Sequence, residues 1–364
     1  QPLQLGPWGD GAAAAAHALA PYLLTWGQGP GRPLAGCMPK DAEEKPQRGP
    51  LIHSLRRSLR TCVRVLDCCL GLGARWVQAC LRVLGPLLIC LALALIGFVT
   101  YSFLVHALPQ LDGNGLSGQC GLVGFGLFLL FNALYNYAKA ALLDPGLPPE
   151  YDQAHAELGF QAEDGEYVTP KQCRRCGRLK PERCHHCSVC NRCVLKMDHH
   201  CPWVNNCVGF RNYRFFCLFL LFLAAACAFV IVVYLDSGIL FTSVMSTGRR
   251  PSADTETAVE CILMSFLICC TILVALCILG GFHVFLVLTN QTTIEFQINL
   301  AARMDARRKG GRYRNPYYLG VARNFQQVFG PNPICRFRWL LSWWALPPSG
   351  DGLCFPSIRA TTVI

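Results

Sequence analysis

Charged side chains are scarce in this sequence. Of its 364 residues only 15% are charged, 52% are hydrophobic, and the mean hydropathy is positive. Soluble domains ordinarily carry about 25% charged residues, so the composition argues against a soluble protein. The basic residues outnumber the acidic ones, and the net charge of +11 suits contact with anionic lipid or with a phosphate-bearing ligand. This charge does not by itself imply a nucleic-acid partner.

The amino-terminal stretch lacks the features of a folded or targeting segment. Residues 1–50 are rich in Ala, Gly and Pro, so we predict a disordered segment. No basic region precedes its short apolar patch at residues 22–24, which argues against a signal peptide.

Residues 51–85 differ in character, because Arg alternates there with Leu and Val at roughly helical spacing. We interpret this segment as a basic amphipathic helix lying on the membrane surface. The alternative is a solvated extension that packs loosely on the folded domain. The segment also contains four cysteines that could be acylated: Cys62, Cys68, Cys69 and Cys80.

Four apolar segments are long enough to cross a bilayer, at about residues 86–108, 120–143, 214–235 and 259–288. A helix of about 20 apolar residues spans the ~30 Å hydrocarbon layer. Buried core helices could explain one such segment, but four in one small chain indicate membrane spans. The sequence therefore predicts an α-helical integral membrane protein with transmembrane helices in 86–143 and 214–289.

The distribution of Lys and Arg predicts the orientation of the spans. The loop at 109–119 has no Lys or Arg, and the loop at 236–258 has only two Arg, whereas the other loops and the tail are basic. Because basic residues favour the cytosolic side, we expect both termini, the 144–213 segment and the 290–364 region to be cytosolic.

Cysteine is abundant and concentrated between spans two and three. Eight of the 23 cysteines lie between Cys173 and Cys207, together with four histidines. Two C-x-x-C pairs in such a set predict zinc binding, because zinc prefers thiolate and imidazole ligands in tetrahedral groups of four. A secreted disulfide framework is disfavoured because such frameworks are short and lack spans. Thiolate metal ligands beside a reactive thiol need a reducing compartment, which agrees with a cytosolic location.

Two closed zinc sites leave some of these side chains unused. Cys201 directly follows Asp198, His199 and His200, and an acid, an imidazole and a thiol are the components of an activated sulfur nucleophile. His199 or His200 could be the base, with the other histidine a metal ligand. Cys201 could instead be a ligand of a third site or a structural thiol. Cys184 and His185 remain unassigned, and we expect them to be spare surface residues.

At these residues the sequence resembles the DHHC family of protein S-acyltransferases, through C-x2-C-x9-H-C-x2-C-x2-C-x4-D-H-H-C-x5-C from Cys173 to Cys207. The resemblance implies a cytosolic zinc-binding cysteine-rich domain at 144–213 with two structural Zn²⁺ ions. One ion would be held by Cys173, Cys176, His186 and Cys193, and the other by Cys187, Cys190, His200 and Cys207.

The resemblance also implies the activity, which is transfer of a long-chain acyl group, typically palmitoyl, from acyl-CoA to protein cysteine. Cys201 would form the acyl-enzyme thioester, His199 would be the base and Asp198 would orient it. The implied partners are the lipid bilayer, acyl-CoA and membrane-associated proteins with cytosolic cysteines. The implied location is the Golgi or the endoplasmic reticulum. A membrane-anchored zinc-binding adaptor, for example one like a ubiquitin ligase, is the alternative, and four spans argue against a nucleic-acid-binding protein.

Motifs outside the cysteine stretch extend the resemblance. Asp144-Pro145-Gly146 follows span two, and Thr292, Thr293 and Glu295 match the TTxE motif after span four. The TTxE side chains are expected to bond the catalytic segment, or else simply to cap a helix. Asn324 belongs to a carboxyl-terminal motif that we interpret as structural. The sequence has no ankyrin-like repeats, which excludes that subtype. Its final Thr361–Ile364 could suit a PDZ groove, but we favour the alternative of a free tail.

Overall fold

The structure is a computed structural model that describes residues 50–111, 115–150, 160–161, 167–168, 171–246, 253–330, 339–341 and 348–358. The chain divides into two units, 1–66 and 67–364. In the first unit the structure describes only the beginning of helix α1, Pro50–Tyr101, and the other elements belong to the second unit. The disorder predicted for residues 1–50 concerns residues that, except for Pro50, lie outside the described part of the chain, and so does the final segment Thr361–Ile364.

Most of the described chain is helical. Helix α1 continues into a π-helical turn, Ser102–Ala107, and a 3₁₀ turn, Leu108–Gln110. It is followed by α2, Gly115–Leu142, then α3, Tyr213–Asp236, α4, Ile239–Ser246, and α5, Ala253–Leu288. Two shorter helices, α6 (Thr293–Arg308) and α7 (Val321–Phe329), follow among the described residues.

Four helical segments have the length and hydropathy to cross a membrane, which confirms the prediction of a four-span integral membrane protein. They are Trp76–Gln110, Gly118–Leu142, Tyr213–Asp236 and Thr255–Leu288. The first span begins earlier than predicted because α1 is continuous through the preceding basic segment. That segment, residues 51–85, is helical in the structure, and its contact with the membrane surface stays a prediction.

Short antiparallel hairpins make up the region between spans two and three. β1 (Phe160–Gln161) pairs with β2 (Tyr167–Val168), and β3 (Lys171–Gln172) pairs with β4 (Leu179–Lys180). β5 (His185–Cys187) pairs with β6 (Arg192–Val194), and β7 (His199–Cys201) pairs with β8 (Asn206–Val208). Strands this short bury little apolar surface, so this region needs another source of stability, such as metal ligation.

Polar contacts tie these hairpins to the spans. The Asn206 side-chain amide donates to the carbonyls of Ala140, Ala141 and Leu143, which satisfies the end of α2. At the same end, Arg192 forms an ion pair of 2.9 Å with Asp144. From the first span, the Arg82 Nε donates to the Val189 carbonyl at 2.8 Å. The hairpin region is therefore attached to the spans through specific residues of α1 and α2.

The apolar core lies mainly between α2, α3 and α5. The ring of Tyr137 of α2 packs against that of Phe219 of α3 with centroids 4.9 Å apart, and the Tyr137 hydroxyl donates to the Trp203 carbonyl at 2.7 Å. Trp203 belongs to the turn between β7 and β8, so the same helix–helix core holds the loop that follows Cys201. This arrangement places β7 beside the cytosol-proximal ends predicted for spans two and three.

Candidate active site and metal sites

The first set of predicted ligands is assembled by two hairpins. Cys173, Cys176, His186 and Cys193 each offer a ligand atom, and these atoms lie within 4.8 Å of one another. The Cys173 Sγ is 3.7 Å from the His186 Nδ1, and the Cys176 Sγ is 3.5 Å from the Cys193 Sγ. His186 and Cys193 face each other across the β5–β6 pair, which explains their proximity.

The second set is assembled in the same way. Cys187, Cys190, His200 and Cys207 also place one ligand atom each within 4.8 Å of the others. The Cys190 Sγ is 3.3 Å from the His200 Nδ1 and 3.5 Å from the Cys207 Sγ. His200 and Cys207 are directly opposed in the β7–β8 pair.

Both sets fit a tetrahedral zinc ion. Zn–S bonds of about 2.3 Å and Zn–N bonds of about 2.0 Å separate the ligand atoms by about 3.4–3.8 Å, and the distances above are of this size.

Two asparagines in the hairpin turns adopt a left-handed backbone. Asn191, in the β5–β6 turn, and Asn205, in the β7–β8 turn, have φ angles of 53° and 47°. Asn tolerates this left-handed backbone better than most residues, so the turn residues help to close both sets.

The two metal sets leave Asp198 and His199 unused. Asp198 directly precedes β7, and His199 lies on β7 next to His200 of the second set. The His199 Nδ1 is 2.7 Å from the Asp198 Oδ2, and Asp198 is buried. His199 and the buried Cys201 line the same cavity, and their side chains interact there. The structure therefore brings Asp198, His199 and Cys201 into one chain of contacts, while His200 points into the metal set.

Electrostatics favour a charged state of this group. Burial alone would lower the pKa of His199, but the hydrogen bonds with Asp198 and Cys201 outweigh it and raise that pKa to about 9. Burial alone would raise the pKa of the Cys201 thiol, but His199 and the backbone amides of Val204 and Trp203 hold it below its ordinary value. A thiolate beside an imidazolium is the combination that makes cysteine nucleophilic.

The predicted supporting residues hold this group from the carboxyl side of span four. Thr293 donates to Asp198 through both its backbone amide and its hydroxyl. Thr292 caps α6, with Glu295 completing a capping box. The Glu295 carboxylate also forms a bidentate ion pair with the buried Arg183. Thr292 thus acts as a cap, whereas Thr293 and Glu295 bond the cysteine-rich region.

Asn324 lies farther from the reacting group. Its side-chain amide donates to the Leu288 carbonyl at 2.7 Å, and its oxygen accepts from the Leu319 backbone amide. Asn324 therefore satisfies the end of α5, in keeping with its structural interpretation.

Other residues of the site differ from what the sequence indicated. Cys184 is 2% exposed and packs in the core beside Cys173, so the expectation of a spare surface cysteine is wrong. His283 of α5 and Phe216 of α3 contact the ring of His199, and Tyr213 of α3 forms a hydrogen bond with His283; these three residues were not predicted. A histidine inside an apolar span was the available signal for His283.

A cavity of about 550 Å³ runs from Cys201 between the spans. Its wall includes Tyr137, His199 and Phe216 near the thiol, and Ala226 and Val230 farther along α3. At 1.5 Å per residue, the stretch from Phe216 to Val230 corresponds to about 21 Å of helix. The cavity is overwhelmingly apolar, so it suits a hydrocarbon chain whose reactive end lies at Cys201.

Comparisons with known proteins agree with this site. A family model described as DHHC palmitoyltransferase matches residues 166–299. The chain is 34% identical over 293 residues to probable protein S-acyltransferase 12 of Arabidopsis thaliana, covering 76% of this chain and 95% of the relative. It is 33% identical over 311 residues to palmitoyltransferase ZDHHC2 of Homo sapiens, covering 79% of each.

A third relative matches a shorter region. Palmitoyltransferase ZDHHC15 of Rattus norvegicus is 42% identical over 184 residues, which is 50% of this chain and 49% of the relative. These similarities favour the acyltransferase interpretation over the adaptor alternative. The chain belongs to the DHHC palmitoyltransferase family and is a protein S-acyltransferase.

Proposed function

We propose that Cys201 carries the acyl group, with His199 as its base and Asp198 as the residue that orients His199. The observation that carries this assignment is the continuity of the Asp198–His199–Cys201 contacts with the apolar cavity. A nucleophile needs an adjacent base that is itself oriented by a third group. His200 is assigned to the metal set, because its Nδ1 lies near Cys190 and Cys207.

The reaction proceeds in two balanced steps. The Cys201 thiolate attacks the thioester carbonyl of acyl-CoA, a new C–S bond forms, and the bond from the carbonyl carbon to the CoA sulfur breaks. CoA leaves as a thiolate that accepts the proton held by His199. A substrate cysteine then transfers its proton to His199 and attacks the acyl-enzyme, which releases the Cys201 thiolate.

Asp198 maintains this proton transfer without changing its own charge. The hydrogen bond from His199 outweighs the effect of burial and, with the Thr293 amide, holds the pKa of the Asp198 carboxyl below its ordinary value. The carboxylate therefore stays ionised and stabilises the imidazolium. Thr293 fixes the carboxylate in place, so that the ring of His199 faces Cys201.

The acyl chain occupies the cavity between the spans. Burying each methylene contributes about 0.8 kcal/mol, so the cavity favours long chains over short ones. The hydrophilic part of acyl-CoA remains in water, where basic side chains of the 171–214 segment can contact its phosphates. This division of the donor between apolar and polar surroundings places the thioester at the interface, beside Cys201.

The two metal sets have a structural role. Zn²⁺ would be held by Cys173, Cys176, His186 and Cys193 in one set, and by Cys187, Cys190, His200 and Cys207 in the other. When bound, the ions supply folding free energy to a region with little apolar core. His200 links this role to the chemistry, because it lies between His199 and Cys201 and anchors their strand.

We further propose that the cysteine-rich region faces the cytosol, in the membrane of the Golgi or the endoplasmic reticulum. The scarcity of Lys and Arg in the 109–119 and 236–258 loops supports this orientation. The acceptors are cysteines of membrane-associated proteins at the cytosolic surface. The bilayer restricts both donor and acceptor to this plane, which increases their effective concentration near Cys201.

The nucleophile is tested by labelling purified protein with an alkyne analogue of palmitoyl-CoA. We expect hydroxylamine-sensitive labelling of the wild type and its loss in Cys201→Ser. Cys277→Ser is the matched control, because Cys277 is an exposed thiol of α5 that does not line the cavity. Equal labelling of wild type and Cys201→Ser would contradict the assignment.

Metal analysis separates the two neighbouring histidines. His199→Ala is expected to keep both zinc equivalents and lose labelling, because His199 contacts Asp198 and not a metal set. His200→Ala is expected to lose zinc. The opposite pattern of zinc contents would reverse the two roles.

A further inference from the structure

A polar side chain of the fourth span lies beside the reacting group. His283 is 3% exposed and belongs to α5, within the membrane-spanning segment Thr255–Leu288. Polar side chains inside a span are costly to bury and usually mark a functional site. The proposed reaction does not use His283, so its position needs another explanation.

His283 contacts the imidazole of His199. The two ring centroids are 5.9 Å apart, and a ring nitrogen of each lies within 4.8 Å of the other and of an Asp198 oxygen. Phe216 contacts both rings edge to face, at 5.3 Å from His199 and 5.0 Å from His283. His199 is therefore held on three sides, by Asp198, Phe216 and His283.

His283 is itself fixed by a hydrogen bond. Its Nδ1 is 3.1 Å from the hydroxyl of the buried Tyr213. Tyr213 and Phe216 are three residues apart on α3, so they share one face of that helix. When the hydroxyl donates to Nδ1, the imidazole proton resides on Nε2. A Phe at this position would fill a similar space but could not accept this bond.

We propose that His283 is a positioning residue, which keeps the imidazole of His199 aligned with Cys201 and is itself held by Tyr213. The inference rests on the proposed role of His199 as the base. Span four contacts His199 through His283, and the start of α6, just beyond this span, contacts Asp198 through Thr293. The position of span four relative to α3 consequently determines how well the base is aligned.

A positioning role predicts a specific kinetic signature. Misalignment of a reacting group by about 1 Å can cost on the order of 100-fold in rate, while binding of the acyl chain elsewhere in the cavity is preserved. His283→Phe should therefore lower kcat for acyl-enzyme formation by about 10-fold or more and leave the KM for palmitoyl-CoA unchanged. If His283 only fills space, His283→Phe should instead keep kcat near the wild-type value, because Phe fills a similar space, or show its loss in KM.

Conservative variants provide a second readout. His283→Asn should recover part of the lost kcat, because its amide can still bond the Tyr213 hydroxyl. Tyr213→Phe should lower kcat by about 3-fold, because His283 loses its hydrogen bond but keeps its ring. The double variant Tyr213→Phe/His283→Phe should be no slower than His283→Phe alone, since the two residues act through one contact.

The experiment uses the full-length protein in detergent micelles and measures acyl-enzyme formation with palmitoyl-CoA. His106→Phe is the matched control, because His106 is a histidine of the first span that packs on Tyr101 and does not line the cavity. Its kcat should equal that of the wild type. Zinc content and monodispersity are measured for every variant.

The inference is overturned if His283→Phe keeps kcat within twofold of the wild type, or if its loss appears in KM. Should His283→Phe not fold, Tyr213→Phe decides: unchanged kcat overturns the inference, and the expected loss at unchanged KM supports it. Cys201→Ser is measured in parallel. Labelling of Cys201→Ser would refute the proposed nucleophile, whereas an unlabelled Cys201→Ser with an active His283→Phe refutes only the role of His283.

Discussion

Thr293 donates two hydrogen bonds to Asp198, from its backbone amide to Oδ1 at 2.9 Å and from its hydroxyl to Oδ2 at 2.8 Å. The two residues are 95 positions apart in the chain. This contact joins the segment after span four to the strand that carries Cys201. The Asp198 carboxylate is buried, so few other donors can replace Thr293.

Thr293→Val should leave the imidazole of His199 less firmly oriented, because Asp198 loses a hydrogen bond. The variant keeps the backbone bond and the side-chain volume but loses the hydroxyl, so we expect acyl-enzyme formation to fall by about 10-fold. Thr271→Val is the control, because the Thr271 hydroxyl bonds only within its own helix on an exposed face. Rates are measured with palmitoyl-CoA. Identical rates for the two variants would show that the hydroxyl bond is dispensable.

The ionisation of Cys201 should depend on His199. Because His199 lowers the pKa of the Cys201 thiol and burial opposes it, the wild-type thiol should remain reactive below the ordinary thiol pKa of about 8.5. Without the imidazole, only the backbone amides of Val204 and Trp203 are left to oppose the effect of burial. His199→Ala should therefore shift the rise in reactivity to higher pH.

This shift is measured by mass spectrometry of Cys201 alkylation with iodoacetamide across pH 5–10. In the wild type, reactivity is lost as pH falls through the lowered pKa. Superimposable curves for wild type and His199→Ala would rule out an imidazole effect on the thiol. Cys277→Ser is a suitable control. Phe282→Ala is not, because Phe282 contacts His283, its neighbour on the same helix.

The cavity should limit the length of the acyl chain. Ala226 lines it well beyond Phe216 on α3, so Ala226→Phe should block its far part. We expect labelling with a palmitoyl donor to fall by about 10-fold or more, because each methylene excluded from the cavity loses about 0.8 kcal/mol of burial free energy. Labelling with a shorter acyl donor should be unchanged. Leu221→Phe is the control, since Leu221 is exposed and does not line the cavity. Equal loss for both donors would indicate misfolding instead of length selection.

The Arg183–Glu295 ion pair should stabilise the contact between α6 and the hairpins. Both side chains are buried, with 1% and 11% exposure, and Arg183 also stacks at 4.2 Å on Tyr317. Glu295→Gln leaves the guanidinium without its counter-charge, which costs about 3–5 kcal/mol in buried pairs. Glu150→Gln, in an exposed pair with Arg178, should cost under about 1 kcal/mol. Thermal unfolding in detergent should show a lower Tm for Glu295→Gln only.

Local sequence patterns were sufficient to predict the four spans and the cysteine-rich region. Four apolar runs of the right length predicted the four candidate spans, because a span is defined by consecutive residues. The Asp198–Cys201 motif likewise consists of neighbours in sequence. The division of the ligands into two sets followed from the resemblance to the family, since spacing alone permits several partitions.

Long-range contacts could not be predicted in this way. The pairing of Arg183 with Glu295, and of His283 with Tyr213, depends on how hairpins and spans pack together. Cys184 was expected at the surface because nothing in its neighbours indicates burial, yet packing beside Phe210 and Phe355 encloses it. Burial of this kind is a property of tertiary structure, and no local periodicity reports it.

The two ligand sets are interleaved, because His186 of one set is followed directly by Cys187 of the other. On the proposed assignment, loss of either ion disturbs a strand that serves both, so metal uptake should be all-or-none. The second set also anchors the strand that ends in Cys201. On the same assignment, maturation and chemical competence would be coupled: a newly made chain would stay inert toward cellular thioesters until it had acquired its metals.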